Sequence, residues 1–460
     1  MIRVFNLYVP SSKLLLIVGD ALLLSVGFFL LLGPSLPADG LQGLQIYALA
    51  LFAAIVGIWS FYFSDLYESS ILRSKHMVLV AGLRGLGISA VLLTPLAWFS
   101  LRDRLQHHFL EPFLALILLL LYLQRWVSDW WLRRMSKGQR VLLVGSGATV
   151  RRLADELAGK CGLPLKLAGV VVDQAHPLPR DLRFAVVGTV DRLRDLARSF
   201  RPDRIVISSE IGVSTIPAAD LLALRRVGIR VQDAGELYES VTGRVPVESV
   251  RSNALAFGEA LIPTRFTRAV HRAVSFLSAL VLTALLAPIG FLVALIVKLD
   301  SPGPVFYTQE RVGLGGRTFR VIKFRSMRQD AESASGPVWA ATKDSRVTRA
   351  GAVLRKLRLD ELPQVINVLR GEMCLVGPRP ERPHFVRMLE KNITYYDLRH
   401  CIRPGITGWA QVCADYGSNV EESRTKLEYD LFYVKNASLF FDLLILFKTV
   451  KIALCGRGAR

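Results

Sequence analysis

The sequence is poor in the residues that mark disulfide scaffolds, metal clusters and nucleic-acid readers. Its five cysteines, Cys161, Cys374, Cys401, Cys413 and Cys455, show no C-x-x-C or other metal-ligand spacing, which suits reduced thiols. Cys374 and Cys413 read as core fillers. Acids are scarce as well: 38 Asp and Glu face 58 Lys and Arg, a formal net charge of +20 with a pI of about 10.1. Such a balance could serve nucleic acid, but there is no zinc-finger spacing, aromatic RNA-binding motif or homeodomain pattern, so no nucleic-acid partner is expected. The charge fits basic loops beside anionic lipid, and it would equally serve small phosphate-bearing molecules.

What the chain has in excess is apolar sequence. Hydrophobic residues make up 52% and the mean hydropathy is +0.36, too apolar for an ordinary soluble protein, with the excess gathered in long runs. Runs at residues 14–32, 44–63, 85–101 and 109–127 predict a four-helix transmembrane bundle within residues 1–135. The first run has a basic start, as a signal peptide does, but it is long, contains Asp20 and lacks a small-x-small cleavage site, so it reads as an uncleaved span. Arg3 and Lys13 precede it, Arg73 and Lys75 separate the second and third runs, and Arg133, Arg134 and Lys137 follow the fourth. These cations place both ends of the bundle in the cytoplasm, with Arg102 and Arg104 the minor exception in an outer loop.

From residue 138 to 245 the texture is α/β. Strands at 141–144, 167–172, 185–188, 204–208 and 229–231 alternate with helical segments, which reads as a Rossmann-like parallel sheet. The turn Gly145-Ser146-Gly147 before a helix at 148–158 resembles a phosphate cradle, but Val150 stands where a dinucleotide fingerprint needs its third glycine. Asp173 falls in the range of a ribose-binding acid. The expectation is a domain without nicotinamide cofactor that supports a homodimer. A breaker-rich hinge at 243–263 leads into residues 264–460. There the apolar segment 269–297 contains Pro288 and is flanked by Arg265, Arg268, Arg272 and Lys298, which predicts a kinked helix that is re-entrant, leaving the membrane on the side it entered. Residues 305–324 read as a hairpin around Gly313 to Gly316. Residues 439–453 suit either an interfacial or a buried core helix.

The most informative stretch begins at Leu359-Asp360-Glu361-Leu362-Pro363 and ends in Pro378-Arg379-Pro380. Leu362, Val365, Ile366 and Leu369 recur at helical spacing, so Asp360 and Glu361 open a short amphipathic helix, where negative charge is favoured. Acids at a helix start are ordinarily a cap and a first-turn charge. Here Arg349, Arg355, Lys356 and Arg358 lead in and Arg370 and Arg379 follow, more cations than two acids need. Arginine suits bidentate phosphate recognition, so an anionic substrate is the natural missing partner.

The ordered motifs KFRSM (323–327), DAE (330–332), DSRVTRAGAVLRKLRLDELPQVINVLRGEM, LVGPRPE, RPGITGWAQV (403–412) and YDLFYVKNASLFFDLLIL resemble the bacterial sugar transferases, the polyprenyl-phosphate hexose-1-phosphate transferases, over about residues 264–455. The N-terminus resembles the branch associated with exosortase systems. The resemblance implies a bacterial inner-membrane, multi-pass enzyme with a small α/β catalytic domain on the cytoplasmic face. It implies transfer of hexose-1-phosphate from a UDP-sugar to undecaprenyl phosphate, with Asp360 as nucleophile through an Asp-linked phosphosugar and Glu361 holding Mg2+. Lys323, Arg325, Arg355, Arg379 and Arg403, with Asp430 and Asp442, are then substrate contacts, and Trp409 joins Arg403 in a nucleotide wall. One departure is that the family carries an acid early in its membrane helix, where this chain reads His271-Arg-Ala-Val-Ser275. The competing classes are a membrane-bound nucleotide-sugar dehydratase or epimerase, which needs a Tyr-x-x-x-Lys pair absent here, and a non-catalytic scaffold, which leaves the Asp-Glu pair without purpose.

Overall fold

Among the described residues, the first three long apolar runs and the segment 269–297 fold as helices. The computed structural model describes residues 2–4, 7–9, 11–32, 40–68, 71, 75–101, 119–120, 122–127, 138–159, 165–172, 185–208, 216–249, 264–328, 346–414 and 419–455. They form two compact units, one chiefly Tyr8–Val141 and the other chiefly Ala168–Arg460 with Leu142–Glu156. In the first, α1 (Ser11–Leu32) packs on α2 (Gly40–Phe63), and α2 on α3 (Lys75–Leu101). Leu16, Leu24, Ala54, Phe61 and Leu86 are buried between them, while Leu22, Leu51 and Leu92 face outward, the apolar exterior that lipid demands. Asp20 is fully buried because Arg125 pairs with it at 2.5 Å and the Tyr67 hydroxyl donates to it at 2.7 Å, the pairing an acid inside such a bundle requires. Among the described residues, His76–Thr94 and Arg265–Asp300 are long and apolar enough to cross a membrane. The fourth expected span, 109–127, lies mostly outside the described residues, so a four-helix bundle is not established.

The chain also forms one five-stranded sheet. Its strands are β1 (Gln139–Val144), β2 (Leu165–Val172), β3 (Val186–Thr189), β4 (Arg204–Ile207) and β5 (Arg230–Asp233), in spatial order β3-β2-β1-β4-β5. The pairs β2–β3 and β4–β5 are parallel, and this is the Rossmann order. Val141 to Val144 are wholly buried, as a central strand covered on both faces must be. Helix α4 (Ala148–Gly159) follows the glycine turn, and Val150 is fully buried beneath it, so a side chain fills the space that a third glycine would leave open. Helices α5 (Leu193–Phe200), α6 (Ala218–Arg226) and α7 (Ala234–Thr242) complete the alternation. Asp173, residues 250–263 of the hinge and the motif at 330–332 lie outside the described residues.

Helix α8 (Arg265–Asp300) is capped by Thr264 and stays helical through Pro288 without a break. Strands β6 (Phe306–Val312) and β7 (Thr318–Phe324) form the expected antiparallel hairpin, Phe306 opposite Phe324 and Val312 opposite Thr318. Then come α9 (Arg349–Lys356), α10 (Gln364–Arg370), β8 (Cys374–Val376), α11 (Pro383–Asn392), β9 (Gly405–Thr407), α12 (Val420–Asn436) and α13 (Leu439–Cys455). The core joins Val321, Val368, Met373, Val376, Leu389, Trp409, Leu431, Phe441 and Ile445. Phe441 and Ile445 bury one face of α13 while Phe440 and Leu443 stay exposed, so α13 is a core helix with an apolar outer face.

Candidate active site

Asp360 and Glu361 occupy a 3-10 turn, Leu359–Glu361, and not the α-helix predicted to begin with them. Pro363 is the reason: it lacks an N–H and fits only a helix's first turn, so the regular hydrogen-bond ladder starts beyond it at Gln364. Arg358, just before the turn, is held in the left-handed region at φ 57°, a conformation uncommon outside glycine that redirects the chain out of α9. Helix α9 lies against the exit of β7 because residue 351 is glycine; a Cβ there would stand 2.0 Å from the Ser326 carbonyl oxygen. That close approach places Arg355, in the last turn of α9, near the carboxylates.

Two cations converge on Glu361. Arg379 Nη2 donates to Oε1 at 2.7 Å and Lys323 Nζ, near the end of β7, donates to the same oxygen at 3.2 Å. Burial opposes ionisation, but Arg379 and Lys323 prevail and hold the Glu361 carboxyl well below the usual carboxylate range. Asp360 goes the other way: burial and then the neighbouring Glu361 charge push its carboxyl up, with Lys323, Arg379 and Arg355 only partly offsetting them. Burial likewise lowers the Lys323 ammonium. Asp360 is 9% exposed and accepts no hydrogen bond among the described residues.

The Pro378-Arg379-Pro380 turn is held from both sides. Arg399 Nη2 donates to the Arg379 carbonyl at 2.9 Å and Arg311 Nη1 to the Pro380 carbonyl at 3.0 Å. Beside it Gly405 is obligatory, since a Cβ would stand 2.1 Å from the Gly377 nitrogen, where the two loops meet backbone to backbone. Asn367, fully buried in α10, ties that helix to β7 by donating to the Arg320 carbonyl at 2.7 Å and accepting from Ile322 N at 3.0 Å. That fixes Lys323 opposite Glu361. None of Arg311, Arg399 and Asn367 was singled out from sequence. No local pattern marks them, because their partners lie 20 to 69 residues away.

Of the residues predicted for the site, Asp360, Glu361, Lys323 and Arg379 meet, and Arg355 acts on Asp360 through space. Four others are elsewhere engaged. Arg325 is buried and donates to the Pro302 and Ser301 carbonyls at 3.0 and 2.7 Å, closing the C-terminal end of α8 rather than facing a substrate. Asp430, 1% exposed, pairs with Arg399 at 2.7 Å and reaches the cleft only through Arg399 and Arg379; burial pushes its carboxyl up to about 6. Asp442 accepts from the Tyr433 hydroxyl at 2.7 Å and lies 2.8 Å from His271 Nδ1. Arg403 donates through Nε to the Gly371 carbonyl at 3.1 Å, at the far end of α10. Trp409 is buried against Phe432 and Phe441 with its Nε1 on the Gly243 carbonyl, so it is core and not a nucleotide wall. The departure in the membrane helix is also accounted for: Ser275 Oγ accepts from Leu375 N at 3.3 Å, so a neutral oxygen ties α8 to β8 there.

The family model for bacterial sugar transferases matches residues 266–456. Over 232 residues the chain is 45% identical to a UDP-N-acetylgalactosamine-undecaprenyl-phosphate N-acetylgalactosaminephosphotransferase of Aeromonas hydrophila, covering 50% of this chain and 54% of that protein. It is 32% identical over 358 residues to an undecaprenyl-phosphate glucose phosphotransferase of Komagataeibacter xylinus, covering 75% and 65%. An exopolysaccharide production protein PSS of Rhizobium leguminosarum bv. phaseoli is 42% identical over 189 residues, which cover 39% of this chain and 93% of that protein. The chain thus spans about half to two thirds of the first two relatives and nearly all of the third. With the carboxylate pair, its cations and the membrane-length helix all inside the matched region, the chain belongs to the bacterial sugar transferase family.

Proposed function

We propose that the protein transfers a hexose-1-phosphate from a UDP-sugar to undecaprenyl phosphate, releasing UMP, as the starting step of exopolysaccharide assembly. The observation that carries this reading is the unequal state of the two neighbouring carboxylates: Glu361 holds both cations, and Asp360 beside it accepts no hydrogen bond among the described residues. In the first step an Asp360 carboxylate oxygen bonds to the phosphorus that bears the sugar. The bond from that phosphorus to the bridging oxygen breaks, and UMP leaves with the electron pair. In the second, an oxygen of undecaprenyl phosphate attacks the same phosphorus and Asp360 departs as carboxylate. Two displacements replace one difficult transfer, and Lys323 and Arg379 stand where phosphate charge develops.

The residues present also fit a magnesium ion. No three His, Cys, Asp or Glu side chains cluster as a metal site among the described residues, and Mg2+ commonly takes one or two carboxylates plus substrate phosphates. Glu361 Oε2, which accepts no hydrogen bond among the described residues, would hold it with the diphosphate. Bound there, Mg2+ would neutralise phosphate charge.

Helix α8 is tied to one fold at both ends. Arg272 donates to the Val368 and Leu369 carbonyls near its start, and Arg325 donates to Ser301 at its end. This supports a segment that enters and leaves the bilayer on the cytoplasmic side, keeping Asp360 within reach of both a soluble nucleotide sugar and a lipid phosphate. The test is UMP release from membranes supplied with undecaprenyl phosphate and, in turn, UDP-glucose, UDP-galactose and UDP-N-acetylgalactosamine. UMP should appear with at least one donor; none from any donor sinks the reading.

A further inference from the structure

A concavity lies at the end of α10 away from the carboxylates, walled in part by Arg268, His271, Leu314, Cys374, Arg403 and Tyr433. The acid beside it, Asp442, is already engaged by Tyr433 and His271. Its two arginines keep donors to spare. The Arg268 guanidinium makes no ion pair or hydrogen bond among the described residues, and its Nε is buried. His271 Nε2 is buried without a partner. Arg403 donates only through Nε, leaving its terminal nitrogens unpaired among the described residues. A buried donor left unpaired, as Arg268 Nε is, costs about 1–3 kcal/mol, so the cavity calls for a ligand rich in acceptor oxygens and negative charge. Guanidinium forks match phosphate, and the first turn of a long helix adds its own positive end.

Position narrows the ligand further. Arg268 and His271 sit in the first two turns of α8, where Phe266 is 78% exposed; two turns further along Leu277 is 60% exposed. From the other side α13 brings exposed Phe440 and Leu443. Apolar surface on both elements sets the cavity at the depth of lipid headgroups. We infer that this cavity binds the phosphate of an anionic membrane phospholipid, at a site separate from Asp360. The seven residues of α10 hold the two apart by roughly 10 Å. The inference rests on the membrane placement of α8 proposed above, and not on the transfer reaction.

The full-length chain in nanodiscs of phosphatidylglycerol and phosphatidylcholine, extracted into detergent, tests it. Native mass spectrometry counts the lipids retained, with and without millimolar inorganic phosphate. The wild type should keep phosphatidylglycerol in preference to phosphatidylcholine, Arg268→Gln should lose that preference by about tenfold, and Arg268→Lys should fall between them. Thermal melts of the variants separate a lost site from a lost fold, and Arg268→Lys carries the test should Arg268→Gln not fold. Equal phosphatidylglycerol retention by wild type and Arg268→Gln overturns the inference. Binding of inorganic phosphate with no lipid retained also overturns it, in favour of a free-phosphate site. Flotation with vesicles checks the membrane placement, and UMP release is not read, so failure here leaves the transfer reaction standing.

Discussion

The two ends of α10 are both ringed by basic side chains, yet the charges there do different things. At the N-terminal end Lys323 and Arg379 meet an acid, Glu361, and their field reaches Asp360. At the C-terminal end Arg272 and Arg403 meet the carbonyls of Val368, Leu369 and Gly371 in the last turn and cap of the helix, where intrahelical partners run out. A guanidinium on a carbonyl holds a helix in place, whereas a guanidinium on a carboxylate sets a protonation state. A motif resemblance cannot separate the two uses, which is why it groups Arg403 and Arg325 with Arg379.

The sharpest way to break this contrast is at Asp360. Asp360→Asn should cut UMP release by roughly 10³-fold or more, the scale on which removing a nucleophile acts. It should also abolish a hexose-phosphate adduct on the Asp360 peptide, read by mass spectrometry after incubation without lipid. The same change should raise the melting temperature at neutral pH. A carboxyl whose folded pKa is raised gives stability that is complete below its unfolded pKa and lost as pH rises through the folded value, so ionised Asp360 destabilises the fold at pH 7. An active Asp360→Asn enzyme would end the nucleophile assignment. Next in size, Arg379→Lys should lower kcat by about 10²-fold, because a point charge cannot reproduce the planar fork on Glu361 and phosphate.

The far end gives the complementary expectation. Arg272→Met should lower stability by about 1–3 kcal/mol, the range for losing charged hydrogen bonds to buried carbonyls, with kcat per folded molecule within about twofold. Loss of turnover with an unchanged melt would mean that the two ends are not separate in function.

Local signals in the sequence were read well. The strands of the Rossmann-like sheet came out within about two residues of their observed ends, because short apolar runs between breakers carry their own period. The carboxylate pair and the Pro-Arg-Pro turn were visible because each is contiguous. What the sequence hid is whatever joins distant residues: Arg399 under Arg379, Arg311 under Pro380, and Asn367 stitching α10 to β7. Asp430 enters by its match to an acidic position of the family near the C-terminus, and the structure buries it against Arg399, which in turn holds the Arg379 carbonyl. Periodicity misjudged the dyad's own backbone, since spacing alone cannot see that Pro363 delays the helix.

The smallest effect concerns pH. Turnover needs Asp360 ionised, and its raised pKa means that the rate should fall, as pH is lowered, at a higher pH than an ordinary aspartate would set. Glu361, held low by its two cations, stays ionised through that fall and adds no step of its own. Glu361→Gln removes the like charge beside Asp360 and frees Lys323 and Arg379 to act on it alone. Both changes stabilise the ionised form, so the acid limb of kcat/KM should move to lower pH even though the overall rate drops. The shift should be measured at saturating Mg2+, so that weaker metal binding alters the height of the profile and not its midpoint. A limb that stays in place in Glu361→Gln, or moves to higher pH, would show that the group titrating in the rate is not Asp360.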